Sequence, residues 1–174
     1  MNLELKTIAK NIKLVAFDVD GVMTDGSLTF LEDGREIKTF SAKDGLGVSM
    51  LSRAGIITAI ITARKSPIVE LRAKMIDIKE IYQDAKNKLS AITELKDKYK
   101  LSFSEIAYVG DDLIDLEVLR AVGLKACPND AVLEVIKTCN FVSTKKGGKG
   151  AVREICDLIM DSKNIKFENL KPKQ

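Results

Sequence analysis

The chain of 174 residues contains no histidine, and that absence excludes more chemistry than any motif it contains. Without imidazole there is no Ser-His-Asp or Cys-His nucleophilic mechanism and none of the usual zinc sites. The three cysteines, Cys127, Cys139 and Cys156, form no C-x-x-C pair, so they read as small reduced core residues. None has an arginine six positions later (those positions hold Leu133, Lys145 and Ser162), which removes a cysteine-phosphatase cradle. No apolar run approaches the roughly 20 residues of a membrane helix, and the N-terminus has neither an apolar h-region nor a cleavage signal. The expected location is the cytoplasm, with no membrane partner. A net charge of only +3, with lysines scattered along the chain, suits an anionic small molecule better than a nucleic acid. Acid–base and nucleophilic work therefore falls to carboxylates, hydroxyls and amines.

What is present is a soluble, globular composition, 45% hydrophobic and 30% charged, with a length suited to one domain spanning 1–174. Short β-branched runs alternate with helical patterns, which predicts an α/β fold: a Rossmann-like parallel sheet with helices on both faces. The expected strands are Lys13–Asp18, Ile57–Thr62, Glu80–Tyr82, Ile106–Val109, Leu124–Ala126 and Phe141–Val142. The expected helices lie near Gly45–Ala54, Pro67–Met75, Asn87–Lys100, Leu113–Val122, Ala131–Lys137 and Ala151–Met160. Ser66-Pro67 is a helix start, and Ser104 is expected to cap a short turn before the fourth strand.

The segment SLTFLEDGREIKTF interrupts this rhythm. Two β-rich arms around Asp33-Gly34 predict a hairpin over about 27–40, standing over the ends of the strands. Its Leu28, Phe30, Leu31, Ile37 and Phe40 need cover, for which another subunit is one source. No large cap domain is expected, and the polar tail 161–174 is expected to be partly frayed.

Four pieces fall at the C-terminal ends of predicted strands: Asp18-Val19-Asp20, Thr62, Lys88 and Gly110-Asp111-Asp112. In an open parallel sheet these ends share a rim, so they can meet. Each has a plainer reading alone: an Asp-Gly turn, a strand-end hydroxyl, a solvated lysine, a helix cap. Clustered carboxylates on one rim repel, and a cation relieves them. An all-oxygen set without His or Cys points to a hard ion, Mg2+. Mg2+ with Lys88 would suit phosphoryl transfer, and with no P-loop in TKKGGKGA the nucleophile would be a carboxylate.

DVDGVMTDG, Thr62 after an apolar strand, Lys88 and GDDLID, in that order, resemble the haloacid dehalogenase superfamily of aspartate phosphatases. The resemblance implies that Asp18 attacks phosphorus and that Asp20 protonates the leaving alcohol, then activates water. It implies Mg2+ held by Asp18, the Asp20 carbonyl and Asp111, with Asp112 and Asp115 supporting the metal from behind. Thr62 and Lys88 would bind phosphoryl oxygens. KDGLG, ITARK, GDDLIDLEVL and GGKGAVREICDLI narrow this to a resemblance to the 3-deoxy-D-manno-octulosonate 8-phosphate (KDO 8-phosphate) phosphatase family. Members are homotetramers in which hairpins associate and a neighbour closes each site.

That family position implies substrate contacts at Asp20, Ser41, Ala42, Lys43, Asp44, Gly45, Arg64, Arg72 and Lys88. Two departures stand out: Ala63 replaces the glycine of T-G-R, and Ser49 occupies a position that is often basic. Relatives acting on 2-keto-3-deoxynononate 9-phosphate tend to carry Glu at the Arg64 position, so Arg64 and KDG favour the octulosonate. Readings of other classes are a phosphorylatable receiver, which would need an acceptor Asp where Tyr82 and Gln83 stand, and a catalytically silent regulatory subunit. Asp25 has no chemical role on this reading beyond stabilising its loop.

Overall fold

The computed structural model describes residues 3–170, so tail residues 171–174 lie outside the described residues. The elements are α1 (Leu3–Asn11), β1 (Leu14–Phe17), β2 (Thr29–Phe30), β3 (Glu36–Ile37), α2 (Ala42–Arg53), β4 (Ile57–Ile61), α3 (Pro67–Met75), β5 (Glu80–Tyr82), α4 (Lys88–Lys98), β6 (Ile106–Val109), α5 (Leu116–Ala121), β7 (Leu124–Cys127), α6 (Leu133–Thr138), β8 (Phe141–Val142) and α7 (Ala151–Ser162). Six strands form one sheet in the order β5-β4-β1-β6-β7-β8, and every pairing in it is parallel. The central strands are apolar throughout because helices cover both faces: all four residues of β1 and of β6 are buried.

Two apolar layers follow from the strand alternation. Val15, Phe17, Ile60 and Val109 face a cluster built with α2, α3 and α7, including Leu51, Val69, Ile155 and Ile159. Leu14, Ala16, Ile61 and Tyr108 face the opposite cluster with α4, α5 and α6, including Ile92, Leu95, Leu119 and Val135. From β1 the chain builds outward through β4 and β5, then crosses to β6 and builds the other way. The carboxyl ends of β1 and β6 therefore flank the point where the winding reverses, where open α/β sheets bind ligands.

The structure corrects several expectations from sequence. Helix α1 is an addition to the expected elements: Leu5, Ile8, Ala9 and Ile12 recur at helical spacing and lie against the core. Helix α2 begins three residues earlier than Gly45, because Ser41 caps it by accepting from the Asp44 N–H at 3.2 Å. The cap before β6 is Ser102, not Ser104: its N–H donates to Glu105 Oε2 at 2.9 Å in a capping box. The described part of the tail packs against the body. Helix α7 runs to Ser162, Leu170 is buried, Arg53 donates to the Leu170 carbonyl at 3.3 Å, and its guanidinium lies 5.7 Å from the Phe167 ring centre. Among the described residues no helix is long and apolar enough to cross a membrane.

Candidate active site

Asp18 is the first residue beyond β1, and its N–H still donates to the Val109 carbonyl at 2.9 Å, so the sheet sets its backbone rigidly. The chain then coils tightly: the Val19 carbonyl accepts from the amides of Val22, Met23 and Thr24. Gly21, at φ +86°, makes this turn possible, and a Cβ there would lie 1.9 Å from Asp111 Oδ2. Glycine is required twice over, by the backbone conformation and by the carboxylate lying against it. Gly147 is needed similarly, since a Cβ on it would lie 1.8 Å from the Gly21 carbonyl oxygen. The GGKG segment thus braces the acidic loop, with Gly148 donating to the Val22 carbonyl at 3.0 Å. Asp25 accepts from the Ser27 amide at 3.1 Å, closing a side-chain turn on the exposed part of this loop.

Lys88, first residue of α4, reaches under the rim. Its Nζ lies 2.8 Å from Asp18 Oδ2 and 2.6 Å from Asp115 Oδ1, with side-chain exposure of only 1%. Asp115 is fully occupied: Oδ1 also accepts from Tyr108 Oη at 2.7 Å, and Oδ2 accepts from the amides of Asp111 (3.0 Å) and Asp112 (3.2 Å). Tyr108 escaped notice in the sequence, although a tyrosine in an otherwise apolar buried strand needs a partner for its hydroxyl. Asp112 is exposed, and its carboxylate accepts from the Leu113 N–H at 2.7 Å.

Carboxylate oxygens of Asp18, Asp111 and Asp115 lie within 4.8 Å of one another. A single lysine does not balance three carboxylates. Burial raises Asp18 to about 6, helped by Asp115 and opposed by Lys88. Burial likewise raises Asp111 to about 7, with Asp18 and Asp115 adding repulsion. Lys88 sits above its ordinary value because Asp18 and Asp115 outweigh the burial that would depress it. Asp111 Oδ1 is buried without a hydrogen-bond partner. An orphaned, acceptor-only oxygen in an electron-rich, all-oxygen cluster fits a hard divalent cation.

The remaining expected residues divide. Thr62 follows β4, is 3% exposed, and its Oγ1 accepts from the Arg64 N–H at 3.4 Å. Asp20 has other partners than the three clustered carboxylates: it pairs with Lys38 of the hairpin and stands 3.9 Å from Arg64 Nε. Arg72 donates to the Ser41 carbonyl at 2.9 Å and stacks 5.4 Å from the Phe40 ring centre, while Gly45 leaves room for its guanidinium. Ala42 and Lys43 are exposed on the first turn of α2.

Asp44, expected at a substrate-contacting position, is 2% exposed and caps α7 from outside, accepting from Gly150 (3.2 Å) and Arg153 (2.8 Å) amides. A carboxylate at a helix N-terminus satisfies orphan N–H groups and meets the positive end of the dipole. Ser49, likewise, gives its hydroxyl to Asp77 at 3.0 Å. A cleft of about 450 Å³ lies between the hairpin and the start of α3, lined by Phe30, Glu36, Arg64, Ser66 and Ile68.

The chain belongs to the haloacid dehalogenase-like hydrolase family, whose model matches residues 56–155. More particularly, it is similar to KDO 8-phosphate phosphatases. It is 41% identical to 3-deoxy-D-manno-octulosonate 8-phosphate phosphatase KdsC of Salmonella typhi, over 92% of this chain and 85% of that protein. The crystal structure of the Moraxella catarrhalis phosphatase, in complex with magnesium ion, phosphate ion and KDO, superposes with TM-score 0.91 at 42% identity, covering 92% of each chain. That of the Yersinia pestis phosphatase gives TM-score 0.95 at 38% identity, over 98% of this chain and 92% of that one.

Proposed function

We propose that this protein is a Mg2+-dependent phosphatase that hydrolyses KDO 8-phosphate to KDO and phosphate, a reaction of lipopolysaccharide biosynthesis. The observation that carries this reading is the cluster of Asp18, Asp111 and Asp115 with Lys88 between two of them, at the reversal point of the sheet. Relatives bearing that name at about two-fifths identity over most of both chains support the substrate.

Asp18 is the nucleophile. One of its carboxylate oxygens forms a bond to phosphorus as the bond from phosphorus to the sugar oxygen breaks, and Asp20 gives that oxygen a proton. Asp20, now a carboxylate, takes a proton from water, which displaces phosphate from Asp18. Thr62 and Lys88 bind the phosphoryl oxygens, and Lys88 also fixes the Asp18 rotamer. Asp18, Asp111 and the Asp20 carbonyl would hold Mg2+, which when bound would supply positive charge to the phosphoryl oxygens. Asp112 and Asp115 act behind this set, Asp115 by holding Lys88 and the Asp111 amide. Ser41, Ala42, Lys43, Gly45, Arg64 and Arg72 line the approach for the sugar acid, and Asp44 serves it indirectly through α7.

The test is phosphate release from a panel including KDO 8-phosphate and 2-keto-3-deoxynononate 9-phosphate. The octulosonate should be preferred, and EDTA should abolish release until Mg2+ is restored. Preference for the 9-phosphate would transfer the assignment to that substrate, and inertness toward every ester with Mg2+ present would leave the silent regulatory reading.

The reading extends to one domain over 1–174, a cytoplasmic location and a homotetramer. On the hairpin Leu28, Phe30, Leu31 and Ile37 are 51%, 57%, 41% and 43% exposed, which supports burial against neighbouring copies. Light scattering should give four times the 19.2 kDa chain mass, and a monomeric mass would contradict the assembly.

A further inference from the structure

Of the hairpin's charged residues, none used by the mechanism above, Glu36 and Lys38 are the two that are not exposed. Glu36, on β3, has Lys38 just beyond the strand 3.3 Å from its carboxylate, while Ile37 between them is 43% exposed. Lys38 has a side chain only 2% exposed, pairs with the carboxylate of Asp20, and lies 3.3 Å from Glu36. Glu36, 14% exposed, also accepts from Arg64 Nη2 at 2.8 Å. An ammonium this buried is retained only where its partners compensate its lost hydration. Asp20, by contrast, has lost the rigid frame that holds Asp18. It lies beyond the strand in the coiled loop, with 22% of its side chain exposed.

We propose that Lys38 and Glu36 are positioning residues for Asp20, resting on the functional reading above: the hairpin holds the general acid's carboxylate toward the bridging oxygen of the ester. Glu36 divides the ammonium between two carboxylates and ties Lys38 to Arg64, so the hairpin, the acidic loop and the loop after β4 form one charged chain. In the step served, the Asp18–phosphorus bond forms, the phosphorus–oxygen bond breaks with its electron pair going to the leaving oxygen, and the Asp20 proton goes to that oxygen. A misplaced Asp20 fails this transfer and leaves the attack by Asp18 intact. The signature of Lys38 is therefore a dependence on how much the leaving group needs a proton.

The test compares kcat/KM for p-nitrophenyl phosphate, phenyl phosphate and KDO 8-phosphate at saturating Mg2+, in wild type, Lys38→Met, Lys38→Arg and Glu36→Gln. This parameter ends at the first irreversible step, so hydrolysis of the Asp18 ester does not contaminate it. p-Nitrophenolate departs without a proton, whereas phenolate and the sugar alkoxide need one increasingly. Lys38→Met should lose about 100-fold on KDO 8-phosphate, the lower range of a general acid's contribution, and less than about 3-fold on p-nitrophenyl phosphate. Phenyl phosphate should fall between them, and Lys38→Arg should regain most of the loss. Glu36→Gln should repeat the pattern in weaker form, which keeps the test open if Lys38→Met does not fold. Equal losses on all three esters, no loss, or a loss confined to KDO 8-phosphate with the two aryl esters unchanged relative to one another would overturn the proposal. The last would mean a lost sugar contact. Wild type inert toward every ester would instead overturn the phosphatase reading, and this inference with it.

Discussion

Asp18→Asn protein should release phosphate from KDO 8-phosphate at least about 10⁴-fold more slowly than wild type, and should be no less stable without metal. The two halves of this expectation come from one geometry. The amide cannot attack phosphorus, so acid quenching during turnover should trap no phosphorylated protein. The same change removes one of three carboxylates that crowd Lys88. Asp111 is held up at about 7 first by burial and then by the charge of Asp18, so neutralising Asp18 relieves Asp111. Lys88 keeps Asp115 at 2.6 Å; the Asn oxygen can serve only one of the two donors that Asp18 now accepts, Val19 N–H at 2.7 Å or Lys88 at 2.8 Å, and the removed repulsion toward Asp111 and Asp115 offsets that loss. A melting temperature in EDTA equal to or above that of wild type, together with lost turnover, separates missing chemistry from a missing fold. Residual activity within tenfold of wild type would remove Asp18 from the nucleophile's role.

Lys88→Met should have the opposite profile and be the most destabilising change at the site. Methionine matches the stem of the lysine but leaves Asp18 and Asp115 without their shared counter-charge, 7% and 0% exposed respectively. Breaking a buried ion pair by removing one partner costs about 3–5 kcal/mol. At about 2–4 °C per kcal/mol for a chain of this size, melting should fall by roughly 10 °C. The pH dependence follows from the direction of the carboxylate shift. Asp18 already lies at about 6, above its ordinary 3.8, by burial and Asp115 against the pull of Lys88, so losing Lys88 raises it further. A carboxyl raised in the folded state opposes folding most above its folded value and not at all below its unfolded one. The deficit of Lys88→Met relative to wild type in EDTA should therefore be largest near pH 8 and shrink toward pH 5. Thermal unfolding at both pH values measures it. A deficit equal at the two pH values, or one under 2 °C, would contradict the buried-charge account. Turnover should fall as well, since Asp18 loses its anchor.

Much of this site was legible in the sequence because its main pieces are local. Asp18-Val19-Asp20 and Gly110-Asp111-Asp112 each follow an apolar β run directly, and the runs are buried on both faces, so alternation of strands and helices leaves few ways to order them. Tyr108, Glu36 and Lys38 were not legible. A tyrosine in a strand looks like core until its hydroxyl is seen on Asp115, and a Glu-x-Lys on a hairpin looks like a solvated face until the hairpin folds inward. Asp44 has a structural role that its motif did not suggest. Its place in KDG suggested a ligand contact, and the fold turns it onto the amides of Gly150 and Arg153, more than 100 residues away.

By itself, then, the sequence determined the chemistry available: no imidazole, no paired cysteines, and carboxylates placed after strands, in a chain whose periodicity admits a parallel sheet and little else. Only the tertiary structure decided which charges lose their water and which partners compensate them. Hydrogen bonds along a strand or helix are specified by neighbours in sequence, but desolvation is a property of everything packed around a group. Lys88 is one lysine among many until α4 sets it beneath β1 and β6, and Lys38 until the hairpin closes over Asp20.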